Sequence, residues 1–214
     1  AAEDGRVVAW LEPIALYMTR DLYEEGDGLW RFEYPEPGHA AELGRARAEG
    51  DDDPDVTLVS FANGSWRSLR AARQLREQDV LAVRVVDLRW LQPLDHETLA
   101  AEAARSRRVL VVDEGRRTGG LSEALFTSIV ESCGRGVELA RVCGEDTFIP
   151  LGPAWHHVLP SEESIVAGAR ALMRRDGESE GDRCASVWWC CAPGAAATAR
   201  PSSALCVVSR TSRA

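Results

Sequence analysis

Four short β-branched runs, separated by stretches of helical spacing, constrain this chain more than anything else in it. "VTLVSF" (56–61), "LAVRVVDL" (81–88), "RVLVVD" (108–113) and "VELARVC" (137–143) are apolar almost throughout. Such runs suit strands buried on both faces, as in a parallel sheet. Between them, Trp66, Leu69, Ala72 and Leu75 recur at helical spacing, and Leu99 and Ala103 follow Asp95, a candidate N-cap. Leu125, Ile129, Val130 and Cys133 share one helical face before Gly134. A last helix, capped by Ser161, runs through Ile165, Ala169, Leu172 and Met173, with Arg174 and Arg175 in its final turn. Strand and helix alternating at this spacing predict an α/β fold with a parallel sheet and helices on both faces. Ligand crevices in such folds lie at the carboxyl ends of the strands.

The rest of the chain is less regular. "VVAWL" (7–11) reads as a buried strand, residues 24–40 as a loop, and "ELGRARAEG" (42–50) as a short edge strand. A turn at Asp51–Pro54 follows. The tail from Gly177 is rich in Ala, Ser, Pro and Arg and shows no sustained period; disorder is expected there.

Composition narrows the function classes. The chain has 214 residues, is 45% hydrophobic and 28% charged, and carries a formal net charge of −9. An acidic chain lacks the basic surface that nucleic acid requires. No window reaches the roughly 18 apolar residues of a membrane helix. The start, "AAEDGRVVAW", has neither a signal peptide's order nor an initiator Met, so the expectation is a chain beginning inside a longer reading frame. Every basic residue is Arg. The six cysteines form no C-x-x-C pair and no zinc spacing with His, which fits a reduced, cytoplasmic protein with Cys133 and Cys143 as small buried hydrophobes.

The stretch with most chemical interest is "VLVVDEGRRTGGLSEAL" (109–125). It ends a strand and opens a helix. Arg116, Arg117 and the helix N-terminus would attract an anion, while Asp113 and Glu114 would repel one. Gly115, Gly119 and Gly120 do not make G-x-G-x-x-G, and no G-K-[ST] follows. Two readings stay open here: a loop that holds a phosphate, or a turn whose glycines let the helix start hard against the strand. Other candidates are weaker. His156 and His157 are adjacent and point apart, Glu12 precedes Pro13, and Glu145 and Asp146 lie in a loop after a strand.

Five stretches in one order, "LEPIALY", "ELGRARAEG" with "DVTLVSFANG", "VRVVDLRWLQPLD", "RVLVVDEGRRTGGLSEAL" and "GEDTFIPLGPAWHHVLPSEESI", resemble the beta subunit of the thiamine-diphosphate-dependent 2-oxoacid dehydrogenases, a transketolase-like family. The resemblance covers about residues 5–173. It implies a three-layer α/β/α sandwich, mostly parallel, with "ELGRARAEG" as an antiparallel edge strand. It also implies residues 1–34 as the end of a pyrimidine-binding domain plus linker, 35–176 as the transketolase C-terminal-like domain, and 177–214 as a tail with no counterpart.

In the full enzyme, the resemblance implies thiamine diphosphate and Mg, with decarboxylation carried by the cofactor. The family's activating glutamate and its diphosphate site match nothing in this chain, so no catalytic, cofactor or metal residue is carried over. The implied role is assembly, with an alpha subunit or domain, a second beta subunit and a lipoyl acyltransferase core as partners. Glu114, Arg116, Arg117, Gly119, Gly120 and Asp146 then become candidate subunit-interface or strand-end loop residues. The alternative is a stand-alone α/β module that binds a small anion in the strand-end crevice.

Overall fold

The four β-branched runs become the parallel part of one sheet. The structure, a computed structural model, describes residues 5, 7–39 and 41–174. Its elements run β1 (Arg47–Gly50), β2 (Val56–Ser60), α1 (Asn63–Asp79), β3 (Val83–Asp87), α2 (His96–Ser106), β4 (Arg108–Arg116), α3 (Leu121–Cys133), β5 (Glu138–Gly144) and α4 (Glu162–Met173). Three 3-10 turns add Ile14–Leu16, Gly134–Gly136 and Gly152–His157. The strand order is β1-β3-β2-β4-β5. β2, β3, β4 and β5 are parallel, and β1 pairs antiparallel with β3, Arg47 opposite Asp87 and Gly50 opposite Arg84. The expected antiparallel edge is therefore present.

Side chains alternate across the sheet with the two-residue strand period. Val56, Leu58, Val83, Val85, Leu110 and Val112 pack against α1 and α4. Val59, Val86, Val109 and Val111 face α2 and α3. That makes three layers with a core on each side of the sheet. α1 lies close because its buried face is made of small residues, Gly64, Ser65, Ser68, Ala71 and Ala72, before Leu75.

Local chemistry sets the element boundaries. Asp95 caps α2 by accepting from Thr98 N–H at 3.0 Å, and it also accepts from the Ala46 N–H at 2.9 Å. One carboxylate thus starts a helix and fixes the approach to β1. Ser161 caps α4 through a reciprocal pair with Ser164. Arg174 is the C-cap of α4 and not part of its last turn, where Arg170 stands instead. Arg175 and the tail lie outside the described residues.

The strand expected at residues 7–11 does not form. The segment has no sheet partner, and Trp10 and Leu11 are 76% and 77% exposed. An apolar run registers a demand for burial, and five residues are too short for the two-residue period of a strand to distinguish pairing from other cover. On α3, Leu125 and Ile129 are buried as expected, but Val130 is 49% exposed and Cys133 only half-buried. Cys143 is buried. Among the described residues no helix is long and apolar enough to cross a membrane.

Two carboxylates tie stability to pH. The Arg76 side chain and the Val83 N–H hold Asp51 below its ordinary value. Burial raises the pKa of Asp95, but hydrogen bonds from Thr98 and Ala46 and the charge of Arg45 outweigh it, and the net shift is downward. A depressed folded-state pKa contributes stability above the unfolded value of about 3.9 and loses it as pH falls below. Thermal melts of Asp95→Ala should show a loss of about 1 kcal/mol at neutral pH, as for other lost caps, and a shallower decline between neutral and acid than the parent. Leu110→Ala, which empties a site packed on both sides, should cost about 2–5 kcal/mol in denaturant titration.

Candidate functional site

β4 runs past β2 and carries the stretch 109–116 to the carboxyl edge of the sheet. It pairs with β5 regularly to Asp113, opposite Cys143, and resumes only at Arg116, opposite Gly144. The skipped residues form a bulge, which re-aims the side chains on either side. Gly144 permits it: a Cβ there would stand 3.0 Å from the carbonyl oxygens of both Glu114 and Gly115.

Asp113 turns inward. It is 1% exposed and accepts from Gly115 N–H at 2.7 Å and Ser122 N–H at 2.8 Å. It thereby closes the turn and holds the first turn of α3. The sequence signal was present, since an Asp two residues before a Gly is a local turn former, but it read equally as an acid lining a crevice. Glu114 points the other way, under α1. It accepts from Asn63 Nδ2 at 2.9 Å and pairs with Arg67 Nε at 3.8 Å. The bonds of Asp113 thus go to backbone N–H groups, and those of Glu114 to side chains of α1.

The arginines lie beside another carboxylate. Asp146, in the loop after β5, accepts from Thr118 N–H at 2.8 Å and from Thr118 Oγ1 at 2.6 Å. Those bonds hold its pKa below the ordinary carboxylate value, and the nearby Arg116 and Arg117 charges add to the effect. So Thr118 and Asp146 latch the β4–α3 turn to the β5–α4 loop. Arg116 is exposed and Arg117 half-buried.

The glycines have distinct tasks. Gly119 has φ +69°, a left-handed backbone that a side chain would strain. Its N–H bonds Glu123 at 3.2 Å, a reach back from the first turn of α3. Gly120 is the N-cap of α3; a Cβ there would collide with the Arg116 carbonyl oxygen and stand 3.1 Å from Asp113 Oδ2.

Asn63, Arg67 and Thr118 take part without having been singled out in the sequence. Arg67 also donates to the Pro160 carbonyl at 2.6 Å and lies over the Trp155 ring, 5.5 Å from its centre. It ties α1 to the loop that carries His156 and His157, both exposed, with His156 stacked on Trp155. Glu12 lies elsewhere, exposed, accepting from the Tyr17 hydroxyl. His96 is exposed with its Nδ1 2.6 Å from Ser128 Oγ, and His39 is exposed.

A magnesium diphosphate makes specific demands on a strand-end face. Such a group needs oxygen ligands for the metal and open N–H groups for the phosphates. Asp113 and Asp146 already accept two bonds each, and Glu114 accepts from Asn63 at Oε2 while its Oε1 is buried with no hydrogen-bond partner, 3.8 Å from Arg67 Nε. Among the described residues no group of three or more His, Cys, Asp or Glu could hold a metal ion.

The architecture has known counterparts. Residues 44–165 match the family "Transketolase, C-terminal domain". The beta subunit of the pyruvate dehydrogenase E1 component from Staphylococcus epidermidis is 32% identical over 168 residues, 78% of this chain and 48% of that protein. The Staphylococcus aureus protein of the same name is 28% identical over the same shares. The chain therefore spans about half the length, 48%, of these curated relatives. A solved structure titled as a split-gene transketolase, an inactive beta4 tetramer, superposes with TM-score 0.54 at 27% identity, covering 66% of this chain and 45% of that one. With more than half of its residues inside the family match, the chain belongs to the transketolase C-terminal domain family.

Proposed function

We propose that this chain is the C-terminal region of the beta subunit of a thiamine-diphosphate-dependent 2-oxoacid dehydrogenase, and that it serves subunit assembly and docking to a lipoyl acyltransferase core. In this reading residues 1–34 end a pyrimidine-binding domain and its linker, and residues 35–176 form the C-terminal domain, which contains the family match at 44–165. The catalytic centre, with its thiamine diphosphate and Mg, is formed by other parts of the enzyme. The alpha subunit or domain and a second beta subunit are the partners.

One observation carries the proposal. At the strand end, where folds of this class place ligands, Asp113 and Asp146 accept from donors of the chain itself, Glu114 accepts from Asn63 at one oxygen only, and Arg116 stays exposed beside them. A face that is internally braced and externally charged suits contact with another protein. The relatives are named as beta subunits of the pyruvate dehydrogenase E1 component, which points the same way.

With pyruvate or a branched-chain 2-oxoacid, thiamine diphosphate, Mg and a dye acceptor, the chain alone should give no turnover above buffer. Clear turnover would remove the claim that the centre lies elsewhere.

Replacing both Arg116 and Arg117 by Ala should leave the melting temperature nearly unchanged and weaken self-association or pairing with the alpha partner in analytical ultracentrifugation. Gly120→Val should do the reverse, lowering stability by about 1–3 kcal/mol through backbone strain. If the double arginine variant assembles normally but loses affinity for inorganic phosphate, the small-anion module is the right description.

A further inference from the structure

Residues 21–29, "DLYEEGDGL", carry four acids in nine positions, a composition that would extend a free segment by self-repulsion. The structure folds them back. Asp27 accepts from four backbone N–H groups: Leu22 at 3.0 Å, Tyr23 at 2.7 Å, Glu24 at 2.9 Å and Leu29 at 2.9 Å. Asp21 accepts from Gly26 at 2.9 Å and Gly28 at 2.8 Å. Gly26 and Gly28, with φ +87° and +60°, supply the turns that bring those N–H groups inward. Burial opposes the ionised Asp27 carboxylate, but the four N–H groups outweigh it and keep its pKa far below the ordinary carboxylate value.

This knot is seated on α1. Trp66 Nε1 donates to the Asp21 carbonyl at 3.2 Å. Arg70 Nη1 donates to the carbonyls of Leu22 at 2.6 Å and Tyr23 at 3.2 Å, while its Nε bonds Glu162 of α4 at 2.7 Å. Arg73 pairs with Glu24 at 2.9 Å and lies 4.8 Å over the Tyr23 ring. Leu22 is buried beneath, only 8% exposed. Arg67, Arg70 and Arg73 repeat at three-residue spacing, so one ridge of α1 grips the strand-end loop, α4 and the knot in turn.

We infer that residues 21–29 form a rigid clasp that fixes the direction in which the preceding chain leaves the α1–α4 face, in place of a flexible tether. The inference stands apart from the proposed function and holds whatever the chain assembles with.

Amide hydrogen exchange on the 214-residue chain tests it. The N–H groups of Leu22, Tyr23, Glu24, Gly26, Gly28 and Leu29 should exchange at least about tenfold slower than in an unstructured peptide. Asp27→Asn should bring them close to the unstructured rate while amides of β2 and β4 keep their protection. Arg70→Ala should speed tryptic cleavage at Arg20 several-fold, whereas Glu162→Gln, which removes only the α4 arm, should not. The clasp is overturned if the wild-type amides exchange at unstructured rates or if Asp27→Asn leaves them unchanged. It is equally overturned if Asp27→Asn strips protection from β2 and β4, since the segment would then be part of the core. Unchanged cleavage in Arg70→Ala would overturn its seating on α1.

Discussion

A single buried carboxylate organises the functional edge of this domain. Asp113, at the end of the regular part of β4, accepts one N–H from the turn it starts and one from the helix that follows. Removed from water, such a group is stable only while both bonds persist. The consequences spread outward. The bulge after Asp113 sends Glu114 under α1 and Arg116 to the surface, and Gly120 must remain without a side chain because Asp113 Oδ2 and the Arg116 carbonyl fill its space.

The same economy recurs around the domain, with acids used as acceptors for backbone N–H groups. Asp95 starts α2 and positions β1, and Asp51 receives Val83 N–H and Arg76. Arginines on α1 then cross-link what the acids have shaped. A domain braced in this way presents a stiff face at the strand ends, and stiffness favours recognition by another subunit because little order has to be created on contact.

Much of the fold was legible in the sequence because each parallel strand is apolar on both faces and each helix between them carries its own punctuation. Asp95, Ser161 and Gly134 all act where their chemistry suggested. The short strand at Arg47–Gly50 was legible as an edge strand within "ELGRARAEG", being polar and half-exposed, but its antiparallel sense came only through the family resemblance. The strand expected at "VVAWL" failed because an apolar run says that a surface seeks cover and does not say that its backbone pairs. At the strand end, residue types were visible but directions were not. Asp113 and Glu114 adjoin Arg116 and Arg117 in sequence, and a bulge, which has no sequence signature here beyond Gly115 and Gly144, turns Asp113 inward and Glu114 under α1. Asp146 joins the site from 28 residues beyond Thr118, a pairing with Thr118 that only the fold creates.

The proposed assembly role of the strand-end face is tested most directly by amide exchange at residues 116–120 and 145–147, compared between this chain alone, the chain with magnesium thiamine diphosphate, and the beta subunit assembled with its alpha partner. Exchange there should slow on assembly and stay unchanged with the cofactor. Exchange that is untouched by assembly and slowed by the diphosphate would contradict the assembly role.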